Sequence, residues 1–117
     1  MSDDMYGLRA VVGEKLSAVV FVLNYYQFQF DGPMFNVMTP VTVVLAAERS
    51  ESGQDRFCNL ICGQIGKVVS DILYQAGESI SIIFDDASTV MFSLKPDDYQ
   101  GPEAIIFYGR NDVLSVF

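Results

Sequence analysis

GEKLSAVVFVLNYYQFQF at residues 13–30 and GQIGKVVSDILYQAGESISIIF at residues 63–84 share one pattern of apolar and polar positions, and that echo decides the fold class. In the first stretch Val19, Val20, Val22 and Leu23 follow a glycine, and then Tyr26, Phe28 and Phe30 alternate with Tyr25, Gln27 and Gln29 before Asp31-Gly32. In the second, Val68, Val69, Ile72 and Leu73 follow a glycine, and Ile80, Ile82 and Phe84 alternate before Asp85-Asp86. Successive side chains of a strand point to opposite faces, so a period of two marks a strand with one buried face. An apolar run, a turn and an alternating run together read as a β-hairpin. Aligned on Gly13 and Gly63 the copies are 50 residues apart, and on Phe30 and Phe84 they are 54 apart. Four extra residues are therefore expected in the second copy, most naturally at Gln75-Ala76-Gly77-Glu78.

Working outward, we expect strands near residues 16–23, 25–31, 34–39, 41–47, 67–75, 79–85, 88–95, 103–108 and 112–117. Asp31-Gly32-Pro33, Asp85-Asp86-Ala87-Ser88 and Gly109-Arg110-Asn111-Asp112 carry the turn chemistry between them. The polar segment 48–55 reads as a loop. Phe57, Leu60, Ile61 and Ile65 recur at helical spacing, which predicts a helix over 54–62 stopped by Gly63, with a shorter helical turn at 8–12 as its counterpart. The expectation is a single domain, residues 1–117, with an internal repeat over about 8–47 and 58–95. Its class is α+β and mainly antiparallel β: two related β-hairpin units, one crossing helix and a C-terminal hairpin.

Fifteen acidic against seven basic residues give a formal charge of −8. Nucleic-acid affinity rests on Lys and Arg neutralising phosphates, and no three basic residues cluster here, so no nucleic-acid partner is expected. No apolar run approaches the roughly 20 residues that span a bilayer, and Met1-Ser2-Asp3-Asp4 lacks the basic region of a secretion signal. The expected compartment is the cytoplasm, without membrane contact. Cys58 and Cys62 are the only cysteines and there is no histidine, so zinc would have to be held by sulfur and carboxylate ligands alone; two sulfurs complete no common site, and two buried thiols are expected. Neither cofactor nor metal is expected.

The missing histidine also removes Ser-His-Asp and Cys-His chemistry. Gly63-Gln64-Ile65-Gly66-Lys67 has its glycines too close for a phosphate loop. Asp85-Asp86 and Asp97-Asp98 are paired acids of the kind that hold a calcium or magnesium ion or share a proton, but both fall in expected turns, where aspartate serves its own backbone, and the turn role is the favoured one. Glu103 opens an expected strand on the face of Ile105 and Phe107, which marks it either as an anchor tied to the Gly101-Pro102 turn or as an exposed strand start. Tyr99 and Tyr108 flank it and offer hydroxyls.

The stretch Tyr99-Gln100-Gly101-Pro102-Glu103-Ala104 followed by two short strands resembles a signature of small uncharacterised bacterial domains, which carry a Tyr-x-Gly-Pro-Glu-Ala segment near the C-terminus. The resemblance covers residues 63–117; Asp86 stands where a glycine is usual. Some such proteins resemble toxin-immunity proteins, which implies a protein partner and supplies no catalytic residues.

The expectations for function follow. The first is a non-enzymatic protein-binding domain, an immunity-type factor for a basic partner, binding through Tyr25, Gln27 and Gln29. The second is a small ligand-binding or enzymatic domain with an aromatic pocket around Glu103, Tyr99 and Tyr108. The third is a structural homodimer, expected because 41–46 and 104–108 are apolar on both faces.

Overall fold

Phe28 is buried while its neighbours on either side are half-exposed, as a period of two requires of a strand lying over a core. The computed structural model describes residues 6–117, which contain ten strands. A 3₁₀ turn at Leu8–Val11 precedes β1 (Ala18–Val22), β2 (Tyr25–Gln29), β3 (Met34–Val37), β4 (Val41–Val44) and β5 (Arg49–Glu51). Helix α1 (Phe57–Cys62) then leads to β6 (Val69–Gln75), β7 (Ser79–Phe84) and β8 (Thr89–Ser93), and a 3₁₀ turn at Pro96–Asp98 leads to β9 (Ile105–Tyr108) and β10 (Leu114–Val116).

The strands form two five-stranded sheets, with every paired neighbour antiparallel. Sheet 1 has the order β1-β2-β3-β9-β10 and sheet 2 the order β6-β7-β8-β4-β5. Each sheet is thus a three-strand meander from one half of the chain completed by a hairpin from the other half. The fold is the expected α+β, mainly antiparallel class with a C-terminal hairpin.

The halves meet at a bridge between Lys15 and Val68. Two hydrogen bonds there, Gly13 N–H to Val69 O and Leu16 N–H to Lys67 O, have counterparts in Gly66 N–H to Leu16 O and Val69 N–H to Glu14 O. A shift of 53 residues (13 to 66, 16 to 69, 14 to 67) converts one pair into the other. The structural counterpart of Gly13 is therefore Gly66, not Gly63. Gly13 and Gly66 both have positive φ, 88° and 96°, a region that disfavours any residue with a Cβ. The β1–β2 hairpin closes with Val22 opposite Tyr25, and the β6–β7 hairpin with Gln75 opposite Ser79. The second loop is one residue longer, where four extra residues were expected; at the other end of β6 the register shifts between Val69 and Asp71, a bulge at Ser70.

The core lies between the sheets. Phe28, Phe35, Val37, Ile105 and Phe107 of sheet 1 face Val41, Val43, Ile80, Ile82, Val90 and Phe92 of sheet 2. Phe92 bridges the layers, its ring 4.9 Å from that of Phe28 and 5.3 Å from that of Phe35. Helix α1 closes one end with Phe57, 5.6 Å from Tyr26.

Three expectations are corrected. Residues 49–51 lie within the segment read as loop yet form a strand, because Ser50 packs inward opposite Val43 between two exposed charges. The helix begins at Phe57 rather than 54, since the preceding chain is spent in turns. Cys58 and Cys62 are exposed, not buried. The inner face of α1 is Phe57, Leu60 and Ile61, and each cysteine falls one residue past it.

Candidate functional site

Pairing register determines which side chains share the outer face of sheet 1. Val20, Gln27, Asn36, Ile106 and Val116 stand opposite one another in turn across all five strands. Ala18, Gln29, Met34, Tyr108 and Leu114 form a second complete row. Val22 and Tyr25 extend the face at its β1–β2 end. Their strand neighbours Phe28, Phe35 and Phe107 are buried on the opposite, core side.

Neither row contains a charged residue. Leu114 is 60% exposed, Val116 50% and Val20 38%, so much of this face is apolar surface open to solvent. Its polar groups are three carboxamides and the Tyr25 and Tyr108 hydroxyls. Gln29 Nε2 donates to Gln27 Oε1 at 3.4 Å. At the centre of the sheet, Asn36 Oδ1 is buried with no hydrogen-bond partner. The outer face of sheet 2 is of a different character: Arg49, Glu51, Asp71, Thr42, Thr89, Ser79, Ser81 and Ser93 lie among fewer apolar residues.

Of the six residues singled out from sequence, Tyr25, Gln27, Gln29 and Tyr108 come together on this one face. Tyr99 and Glu103 do not. Glu103 is exposed, and no hydrogen bond or ion pair joins it to another described residue, so it is no anchor for the Gly101-Pro102 turn. The strand starts two residues later, at Ile105, and Ala104 takes the buried place beside it. The sequence reading missed Val20, Asn36, Ile106, Leu114 and Val116.

Tyr99 instead lines a cavity of about 560 Å³ with Tyr6, Tyr74, Leu94, Pro102 and Phe117. The rings of Tyr6, Tyr74 and Phe117 stand 5.0–5.4 Å apart. Burial, and then the neighbouring Tyr6 hydroxyl, push the Tyr74 phenol up from its ordinary value.

One serine has a lysine within reach. Lys67 Nζ donates to Ser88 Oγ at 3.2 Å and to Gln64 Oε1 at 2.9 Å, and pairs with Asp86 at 2.7 Å. Gln64 Nε2 donates to Ser88 Oγ at 2.7 Å, and the Ser88 hydroxyl donates to Asp86. The lysine hydrogen bond above all, then the Ser88 hydroxyl and N–H, holds the Asp86 carboxyl well below the usual carboxylate range. Lys67 Nζ is engaged by Asp86, the Ser88 hydroxyl donates to that same carboxylate, and Ser88 is itself buried. The cluster ties the β7–β8 turn to the chain after α1. Among the described residues no three Cys, Asp or Glu side chains gather as a metal site would need, and no helix is long and apolar enough to cross a membrane.

Compared with protein families, with curated proteins and with solved structures, the chain matches none.

Proposed function

We propose that the chain is a protein-binding domain that works through the outer face of sheet 1 and carries out no reaction with its side chains. The observation that carries this reading is the pair of full-width rows without a charge, on a chain whose formal charge is −8. Large contiguous apolar surface is uncommon on a monomer and marks places where another molecule docks. Interface cores are depleted of charge and enriched in aromatic residues and methionine, and this face, with Tyr25, Tyr108 and Met34, fits that description. The resemblance of residues 63–117 to domains that include immunity-type proteins supports a protein as the ligand class.

The test is a photoreactive amino acid placed at Val20 or at Val116 in cells that make the protein, with Leu73 on the outer face of sheet 2 as control. Protein adducts at the first two positions and none at Leu73 are expected. Absence of any adduct at both Val20 and Val116 overturns the reading.

A second reading, a small-molecule site, is favoured by the aromatic cavity of about 560 Å³ rather than by Glu103. Saturable quenching of tyrosine emission by a small aromatic probe, lost in Tyr99→Ala, would move the assignment there.

A further inference from the structure

We infer that the occupant of the outer face of sheet 1 is a second copy of this chain, packed about a two-fold axis that passes beside Asn36; this rests on the reading of that face as protein-binding. A two-fold interface presents one patch to itself, so the patch has to be self-complementary. A charged patch fails that condition, because it sets like against like. The two rows meet it: they hold no charge, and every polar side chain in them both donates and accepts. Gln27, Gln29 and Asn36 are carboxamides with an acceptor oxygen and two donor hydrogens, and Tyr108 has a hydroxyl. A strongly basic partner would find no carboxylate on this face to pair with. For two copies of formal charge −8, it is a surface that brings no pair of like-charged side chains together.

Asn36 places the axis. It lies on β3, the middle strand of five, and is the third residue of the five in its row. A residue on a two-fold axis meets its own copy. Turned outward about χ2, the Asn36 carboxamide meets another in which Nδ2–H of each donates to Oδ1 of the other, and the oxygen left without a donor in the single chain is satisfied. Strands about 4.8 Å apart and alternate rows about 7 Å apart give a footprint of roughly 24 by 20 Å per copy, or about 1,000 Å² in total, the lower bound for a specific interface. The dimer is accordingly one that assembles in the micromolar range.

Sedimentation equilibrium of the full chain from about 1 to 200 µM is expected to pass from 13.0 kDa to twice that mass. Asn36→Asp and Asn36→Lys each set like charges on the axis, and each alone is expected to stay monomeric. Mixed in equal amounts they are expected to form a mixed dimer, which a merely structural role for Asn36 would not produce. Where circular dichroism shows either variant unfolded, Val116→Lys on the exposed edge strand decides, with an expected loss of at least about tenfold in dimer affinity. A dimer unaffected by these charges overturns the inference. A parent that is monomeric throughout, while photoreactive groups at Val20 and Val116 capture a different protein, overturns it and leaves the protein-binding reading standing. No adduct at either position overturns both.

Discussion

Phe92→Ala removes the ring that joins the two sheets. Phe92 is fully buried on β8, and its ring contacts those of Phe28 at 4.9 Å and Phe35 at 5.3 Å, both from the opposite layer. Deleting a buried phenylalanine costs about 3–5 kcal/mol through lost transfer energy and the cavity left behind. Ring pairs contribute about 0.5–1.5 kcal/mol beyond their area, which places this substitution in the upper half of that range, near 4 kcal/mol. A domain of this size has about 5–15 kcal/mol in all, so the variant still folds but sits close to its limit. With an unfolding entropy of about 2.1 cal/mol/K per residue, 117 residues give about 0.25 kcal/mol per degree, and the midpoint falls by about 16 °C. The chain has no tryptophan, so urea and thermal unfolding are followed by far-ultraviolet circular dichroism. Phe21→Ala is the control: Phe21 is 45% exposed and touches the Tyr26 ring at 5.3 Å, and its loss should cost about 1 kcal/mol. A loss below about 1.5 kcal/mol at Phe92, or equal losses at the two positions, would refute the account of the core.

Asp86→Asn is expected to lower stability at pH 7 by at most about 1 kcal/mol, since the Lys67 pair is half-exposed and screened. Because the folded-state pKa of Asp86 is depressed, its contribution is present above the unfolded value near 4 and fades as pH falls toward the folded one. The gap between parent and variant in denaturant titrations should therefore close in strong acid and stay constant from pH 5 to neutrality; a gap that widens in acid would reverse the assignment. Gly13→Ala and Gly66→Ala should each cost about 1–2 kcal/mol, because both backbones hold a left-handed φ while the space around each is open. Unequal chemical-denaturation midpoints for the two would argue against their equivalence. Glu103→Ala should melt within about 0.5 kcal/mol of the parent, as an exposed side chain without a partner does.

The alternation in residues 25–30 was legible because one face of β2 is core and the other is not. The register of the echo was not. Gly63-Gln64-Ile65-Gly66 offers two glycines, and what separates them is backbone conformation: φ is −67° at Gly63, which caps α1, and 96° at Gly66. Choosing Gly63 turned a one-residue difference in loop length into four. Strand β5 carried no signal, since Arg49, Ser50 and Glu51 alternate charge with a small polar residue and are drawn into the sheet by β4. The exposure of the cysteines was within reach, because the spacing of Phe57, Leu60 and Ile61 already defines the inner face of α1. For Glu103, counting back by twos from Ile105 assumed that the strand opened at 103, directly after Gly101-Pro102, and it opens only at Ile105. Tyr25, Gln27 and Gln29 were readable as the outward side of one strand. That Ile106, Leu114 and Val116 complete their face follows from the exchange of C-terminal hairpins between sheets, a long-range pairing that no local pattern encodes.

The claim that a second copy of the chain covers the outer face of sheet 1 is tested most directly by a soluble paramagnetic agent, which broadens the signals of exposed methyl groups. In dilute solution the methyls of Val20, Leu114 and Val116 should broaden as strongly as that of Leu73, since all four residues are exposed on the single chain. As the concentration rises through the micromolar range, the account predicts that Val20, Leu114, Val116 and half-buried Ile106 become protected together while Leu73 does not. Protection of Leu73 instead, or undiminished broadening of the sheet 1 methyls at every concentration, would contradict it.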